Sequence, residues 1–258
     1  MKKVYFLSDF GNGDAYAGVV RALAGRSAPV IDLAHDLPAG DIMHAAFQLY
    51  SAVPFLEAGA VVLAVVDPGV GGPRRPLVVR GKKLWYVVPD NGILSLATDA
   101  DPPERAWELD PAKFTSEPIS NTFHGRDVFA VAAALLAGGF PAAGLGLEVE
   151  PDSLVHLEPG ISHSDEGEVI TFDRFGNAIT NLAPAETPEA VSVVGRYIPF
   201  ARTFSDVAPG EALAYLGSSG LVEIAINGGS LREELRLLPG AAVNLLAPEE
   251  EPPLLALD

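Results

Sequence analysis

Seven consecutive apolar residues, AVVLAVV at 60–66, constrain the fold more than any other stretch of the chain. A strand with one solvated face alternates apolar and polar positions, whereas an uninterrupted apolar run reads as a fully buried strand. The flanking sequence supplies its cover. KVYFL and PVIDL read as strands, DAYAGVVRALAG as a helix closed by Gly25, and DIMHAAFQLYSAVPFL has helical periodicity. PLVVRG and KLWYVV follow as strands, NGILSLAT as a short helix and HGRDVFAVAAALLAGG as a long one. Apolar strands interleaved with helices predict an α/β domain with a largely parallel sheet. Ligands of such sheets collect at the carboxyl ends of strands, where Asp9, Asp67 and Asp90 fall.

The pattern changes after residue 140. FPAAGLGLEVEPDSLVHLEPGISHSDE carries turn residues and no helical period. Beyond it, GEVITFDRFGNAITNL, AVSVVGRYIPF, ALAYLGSSGLVEIAING and AAVNLLA read as short strands between glycine and proline turns. That is the pattern of a smaller all-β unit, a sandwich or barrel. A boundary near residue 160 separates an α/β domain at 1–160 from an all-β domain at 161–258. The terminal PEEEPPLLALD reads as a loosely docked end.

Composition narrows the chemistry. A hydrophobic fraction of 48% and a charged fraction of 20% over 258 residues belong to a globular chain with a substantial core. A formal charge of −17 speaks against a grip on nucleic-acid phosphates and does not repel a small cation. The chain has no cysteine, which removes disulfides, thiolate metal ligands and cysteine nucleophiles. His35, His44, His156 and His163 lack metal-ligand spacing, so no metal is expected. No apolar run approaches the roughly 18 residues of a membrane span. MKKVYFLSDFG breaks at Ser8-Asp9, unlike a secretory leader, and a cytoplasmic protein is expected.

Each polar motif has a plain reading beside a functional one. In SDFGNGDAYAG, Asp14 reads as a helix cap, while Asp9 suits the vicinal hydroxyls of a ribose. In VVDPGVGGPRR, Asp67 could simply open a Pro-Gly turn, but Arg74 lies seven residues on, within pairing reach. Such an arginine keeps the carboxylate ionised and fixed in direction, suited to orienting a water. In ISNTFHGRDVFA, Asn121 or Thr122 reads as a cap and His124 falls at the helix start, which keeps its imidazole neutral. FDRFGNAITN reads as a turn between strands, yet Asp173, Asn177 and Asn181 place an acid and two amides in nine residues. YLGSSGLVEIAINGGSL adds Ser218, Ser219 and the turn at Asn227. No glycine-rich phosphate cradle is present.

Taken in order, SDFG, VVDPGVG with its arginine, PDNG, TFHGRDVFA and DRFGN-A-ITN resemble the S-adenosyl-methionine hydroxide adenosyltransferases, relatives of the fluorinating and chlorinating enzymes. The resemblance implies an α/β domain followed by a barrel-like domain. It also implies a homotrimer with substrate between one subunit's first domain and its neighbour's second. The implied reaction takes water and S-adenosyl-L-methionine to adenosine and L-methionine, without metal or organic cofactor.

By position, the resemblance makes Asp67, Arg74 and His124 the water-handling set and Asp9 the ribose carboxylate. Phe204 matches an aromatic stacked on adenine. Asn177 and the backbone of Ile226, Asn227 and Gly228 match adenine-edge contacts, and Asp173 and Ser218 match the groups on the methionine amine and carboxylate. Where relatives offer an arginine to that carboxylate, this chain has Ser219. Halogenating relatives carry tyrosine at the position of His124, which sets this chain on the hydrolase side. Two rivals stay open at this stage: a halogenase on the same fold, and a non-catalytic binder of adenosyl ligands.

Overall fold

In the computed structural model, which describes residues 2–247, the strands Val4–Ser8 (β1) and, after the helix Ala15–Ala24 (α1), Val30–Ala34 (β2) pair in parallel. The helix Ile42–Ala52 (α2) leads to Val61–Val65 (β3), which is buried at all five positions. There follow Pro76–Gly81 (β4), Trp85–Pro89 (β5), the short helix Ala97–Ala100 (α3) and Pro103–Leu109 (β6). A π-turn at Gly125–Phe129 runs into the helix Ala130–Ala137 (α4), and Gly146–Val149 (β7) closes this part of the fold. PEEEPPLLALD lies outside the described residues.

The sheet order is β2-β1-β3-β5-β4-β6-β7. Strands β2, β1, β3 and β5 pair in parallel, whereas β5-β4, β4-β6 and β6-β7 pair antiparallel. The sheet is therefore mixed, with its parallel half carrying β1 and β3. The apolar run behaves as its composition demands. Val61, Leu63 and Val65 pack in one core with Val20 of α1 and Ala133 of α4. Val62 and Ala64 pack in a second core, across the sheet, with Ala45 and Leu49 of α2. Burying each such valine or leucine stabilises the fold by roughly 1.5–3 kcal/mol.

Three local expectations change. NGILSLAT is mostly turn, with helix confined to Ala97–Ala100. Asp14 occupies the cap position of α1 without a side-chain cap bond. Strands β6 and β7 gave no apolar signal, because Arg105 and Glu148 pair on an exposed face at 2.7 Å.

The chain divides between Glu158 and Pro159 into two compact units. The second holds Glu166–Phe172 (β8), Ala178–Thr180 (β9), Ala190–Val193 (β10), Arg196–Pro199 (β11), Ala212–Leu216 (β12), Val222–Ile226 (β13), the helix Leu231–Leu235 (α5) and Ala242–Leu246 (β14). Its ladder pairings are all antiparallel, in the order β11-β10-β14-β8-β9-β13-β12. The end strands approach each other through a bridge between Phe200 and Ala214, so the sheet nearly closes into a barrel. Among the described residues, no helix is long and apolar enough to cross a membrane.

Candidate active site

Strand ends deliver the acids of the first unit. Asp9 follows β1, and its Oδ2 accepts the Gly40 N–H at 2.8 Å. Asp67 stands two residues beyond β3, where Asn91 Nδ2 donates to Val66 O at 2.8 Å and holds the strand end. The loop then turns back on itself, with Val70 N–H bonded to Asp67 O at 3.2 Å and Gly72 N–H to Gly69 O at 3.0 Å. Gly71 has φ +76°, and a Cβ there would lie 2.3 Å from Asn121 O. Only glycine lets this loop press against the segment that leads into His124.

That return brings Arg74 onto Asp67. Arg74 Nε lies 3.0 Å from both carboxylate oxygens and Nη2 lies 2.5 Å from Oδ2, with side chains only 10% and 5% exposed. The same Nη2 lies 2.8 Å from His124 Nδ1. A guanidinium can only donate, so Nδ1 accepts and the neutral ring carries its hydrogen on Nε2. Burial, and after it the Arg74 charge, holds the His124 pKa below its ordinary 6.5, against the opposing pull of Asp67 and Asp127.

His124 heads the π-turn, and no side-chain cap bond is found there, so neither Asn121 nor Thr122 acts as the cap. Arg126 and Asp127 pair with each other at 2.6 Å, and Asp127 Oδ2 accepts the Ser120 N–H at 2.9 Å. Gly125 is forced by crowding, since a Cβ there would sit 2.9 Å from the Phe10 ring and 3.4 Å from Val65.

A cavity of about 310 Å³ opens at these strand ends. Asp9, Asp67 and His124 line it together with Phe10, Val65, Thr122 and Phe123 among others. Arg74 is not in the wall; it stands behind Asp67 and His124 and joins them. Phe10, Phe123 and Tyr16 form an edge-packed aromatic group, with Tyr16 and Phe123 centroids 5.2 Å apart. Sequence reasoning did not single out Phe10 or Phe123, although each adjoins a polar residue that it did. Asp90 is different from the other two strand-end acids: it takes Arg75 Nε at 2.8 Å and the Val155 N–H at 2.9 Å, and is buried as a structural tie.

The second unit has its own cavity, of about 520 Å³, lined by Asp173, Phe175, Asn177, Phe204, Ile226, Gly228 and Gly229. Asp173 Oδ1 accepts the N–H groups of Phe175 and Asn177 at 2.8 and 2.9 Å, and Oδ2 accepts Asn177 Nδ2 at 2.8 Å. Phe204 sits on a 3₁₀ turn whose capping box joins Thr203 and Asp206. Its ring lies 5.3 Å from that of Tyr215, whose hydroxyl donates to Glu223 Oε2 at 2.6 Å. Burial and the nearby Asp173 push the Glu223 carboxyl up. Phe175, exposed and in the wall, was not singled out from sequence.

Two expected contacts do not join this cavity wall. Ser218 stands exposed in the turn after β12. Asn227 is committed to the fold: Nδ2 donates to Val207 O at 2.9 Å, its N–H to Glu211 O at 2.9 Å, and its carbonyl accepts the Gly210 N–H at 2.8 Å. Asn181 likewise holds Gly160 O and the Glu168 N–H. Among the described residues, no group of three or more histidines and carboxylates is arranged to hold a metal ion.

Comparison with known proteins agrees over both units. Residues 4–146 match the model of the SAM hydroxide adenosyltransferase N-terminal domain, and residues 167–244 that of the C-terminal domain. A Thermus thermophilus protein named (R)-S-adenosyl-L-methionine hydrolase is 51% identical over 257 residues, 95% of this chain and 100% of the relative. A Salinispora arenicola protein of the same name is 40% identical over 255 residues, 95% of this chain and 97% of the relative. A Nocardia brasiliensis protein named fluorinase is more distant, 24% identical over 287 residues, 94% of this chain and 96% of the relative. The crystal structure of a conserved hypothetical protein from Thermus thermophilus superposes with a TM-score of 0.86 at 51% identity, covering 95% of this chain and 100% of that one. Matched by both domain models in order, the chain belongs to the SAM hydroxide adenosyltransferase family.

Proposed function

We propose that this chain hydrolyses S-adenosyl-L-methionine to adenosine and L-methionine. The observation that carries the reading is the Asp67–Arg74–His124 set, joined through one guanidinium nitrogen at the cavity of the first unit. The relatives named as hydrolases support it, at up to 51% identity.

The sulfonium is its own activated leaving group. It departs as a neutral thioether and asks for no general acid, metal ion or organic cofactor. What the reaction needs is a nucleophile held in line behind C5′. Fixing a water at about 3 Å from that carbon makes the step effectively unimolecular and lowers the barrier by up to roughly 7–11 kcal/mol. The water oxygen bonds to C5′ as the C5′–S bond breaks, and the bonding pair goes to sulfur. The tautomer set by Arg74 makes His124 Nε2–H a donor to the water oxygen. Asp67 is then the proton acceptor of the pair, and Arg74 holds both groups in direction without touching substrate. Asp9 takes the ribose hydroxyls. In the second unit, Phe204 stacks on adenine, Asn177, Ile226 and Gly228 meet its edge, and Asp173 takes the methionine ammonium.

We further infer that the chain works in the cytoplasm as a homotrimer whose neighbouring subunits supply the two halves of each site. Each unit's cavity carries only part of the groups the substrate requires. Incubation with S-adenosyl-L-methionine, with and without chelator, chloride or fluoride, followed by chromatography, tests the reaction. Adenosine and methionine are expected in every case. Intact substrate after hours, or a 5′-halo-5′-deoxyadenosine, overturns the reading. Co-expressed Asp67→Asn and Phe204→Ala chains should recover activity that neither has alone; a monomeric mass without recovery refutes the shared site.

A further inference from the structure

At the end of β1, Ser8 Oγ lies 2.8 Å from His35 Nδ1, and His35 Nε2 lies 3.3 Å from Asp32 Oδ1. Arg21 Nη1 lies 3.2 Å from the other Asp32 oxygen. Serine, histidine and aspartate in this order resemble an acyl-transfer triad. Ser8, however, is fully buried and outside the cavity wall, so no carbonyl carbon reaches its hydroxyl.

The placement of the hydrogen bonds gives the cluster another use. Asp32 faces His35 Nε2, while Nδ1 shares its hydrogen bond with the Ser8 hydroxyl. Ser8 Oγ also accepts the Phe10 backbone N–H, 3.4 Å away. The His35 carbonyl accepts the Gly11 N–H at 2.7 Å. Asp36, next in the chain, accepts the Asn12 N–H at 3.1 Å and its side-chain amide as well. One dipeptide therefore grips positions 8, 11 and 12 directly, and position 10 through the Ser8 hydroxyl, on both sides of Asp9. Asp9 and Phe10 both line the cavity.

We propose that His35 is a positioning residue: oriented by Asp32, it clamps the Ser8–Asn12 turn so that Asp9 and Phe10 keep their places in the cavity wall. The activity readout, though not the structural one, rests on the reading of Asp9 as the ribose carboxylate.

The test uses the full chain as wild type, His35→Ala, His35→Asn and Ser8→Ala. The last removes one hydroxyl and keeps the proposal testable if His35→Ala does not fold. Hydrogen exchange of the segment 8–12 is expected to rise about tenfold in His35→Ala and Ser8→Ala, with β3 as an unchanged internal reference. Unchanged protection of 8–12 overturns the clamp. The second readout is the ratio of kcat/KM for S-adenosyl-L-methionine over its 2′-deoxy analogue. A merely structural role lowers both values together and leaves the ratio alone. Loss of the clamp lowers the ratio about tenfold, and His35→Asn, which keeps an acceptor towards Ser8, restores part of it. Faster exchange with an undiminished ratio refutes the positioning role. A wild-type protein that does not discriminate the two substrates refutes the ribose reading instead, and exchange alone then judges the clamp.

Discussion

Arg74 Nη2 lies 2.8 Å from His124 Nδ1 while bonded to Asp67 Oδ2 at 2.5 Å, so one nitrogen fixes both the imidazole tautomer and the carboxylate direction. Neither partner is replaceable by charge alone. A fork of donors in fixed geometry is required, which lysine does not have.

Arg74→Lys should therefore keep a cation near Asp67 and still lose the tautomer lock. Turnover is expected to fall on the order of a hundredfold or more, with KM nearly unchanged. Steady-state adenosine release measures both. A large rise in KM with kcat intact would show that Arg74 serves binding.

The depressed His124 pKa gives an acid limb to activity. Its native value lies below 6.5, so the ring is neutral at pH 7 and protonates only as pH falls through that lower value. Protonation puts a second hydrogen at Nδ1, against Arg74, and both kcat/KM and stability decline. The stability contribution is present above 6.5 and lost as pH falls through the native pKa. A pH–rate profile should show the limb in wild type and lack it in His124→Asn.

Gly125→Ala would place a methyl group 2.9 Å from the Phe10 ring. Phe123 and Tyr16 pack around that ring and leave it little room to yield. A loss of about 1–3 kcal/mol is expected, seen as a lower Tm, together with a higher KM. Phe10→Leu in the same chain should recover much of the Tm. Failure to recover it would place the strain elsewhere.

Asp173 separates charge from turn geometry. Asp173→Asn keeps an oxygen for the Phe175 and Asn177 N–H groups but turns a donor towards Asn177 Nδ2, so Tm should fall less than in Asp173→Ala while KM rises about tenfold. Asp173→Ala should raise KM and lower Tm together, since it leaves those donors without their acceptor. Equal KM values for wild type and Asp173→Asn would remove the carboxylate from ammonium binding.

Arg74 and Arg75 show how far local pattern reaches. The seven-residue spacing from Asp67 made an ion pair to Arg74 legible, because a tight glycine loop brings positions so close together onto one side. Nothing local distinguishes Arg75, yet it points to Asp90 and Ser153. Asp9, Asp67 and Asp90 look alike as acids at strand ends. Their fates differ through partners 31, 7 and 65 residues away: Gly40, Arg74 and Val155. Asn227 and Ser218 matched the family by position, but the first is held by Val207 and Glu211 and the second lies outside the cavity wall.

Burial period is a property of neighbours along the chain, so the sequence by itself determined the two-faced strand β3, its helical cover and the change to short antiparallel strands. It also determined which side chains could carry the chemistry. Tertiary structure alone decided their assembly. His124 meets Arg74 across 50 residues, and its tautomer follows from that one donor. The contact of Ser8 with His35, across two neighbouring strand ends, and the buried tie of Asp90 to a loop residue 65 positions on are likewise made adjacent only by the folded chain. Hydrogen bonds depend on distances of a few tenths of an ångström, and no spacing along a chain encodes those.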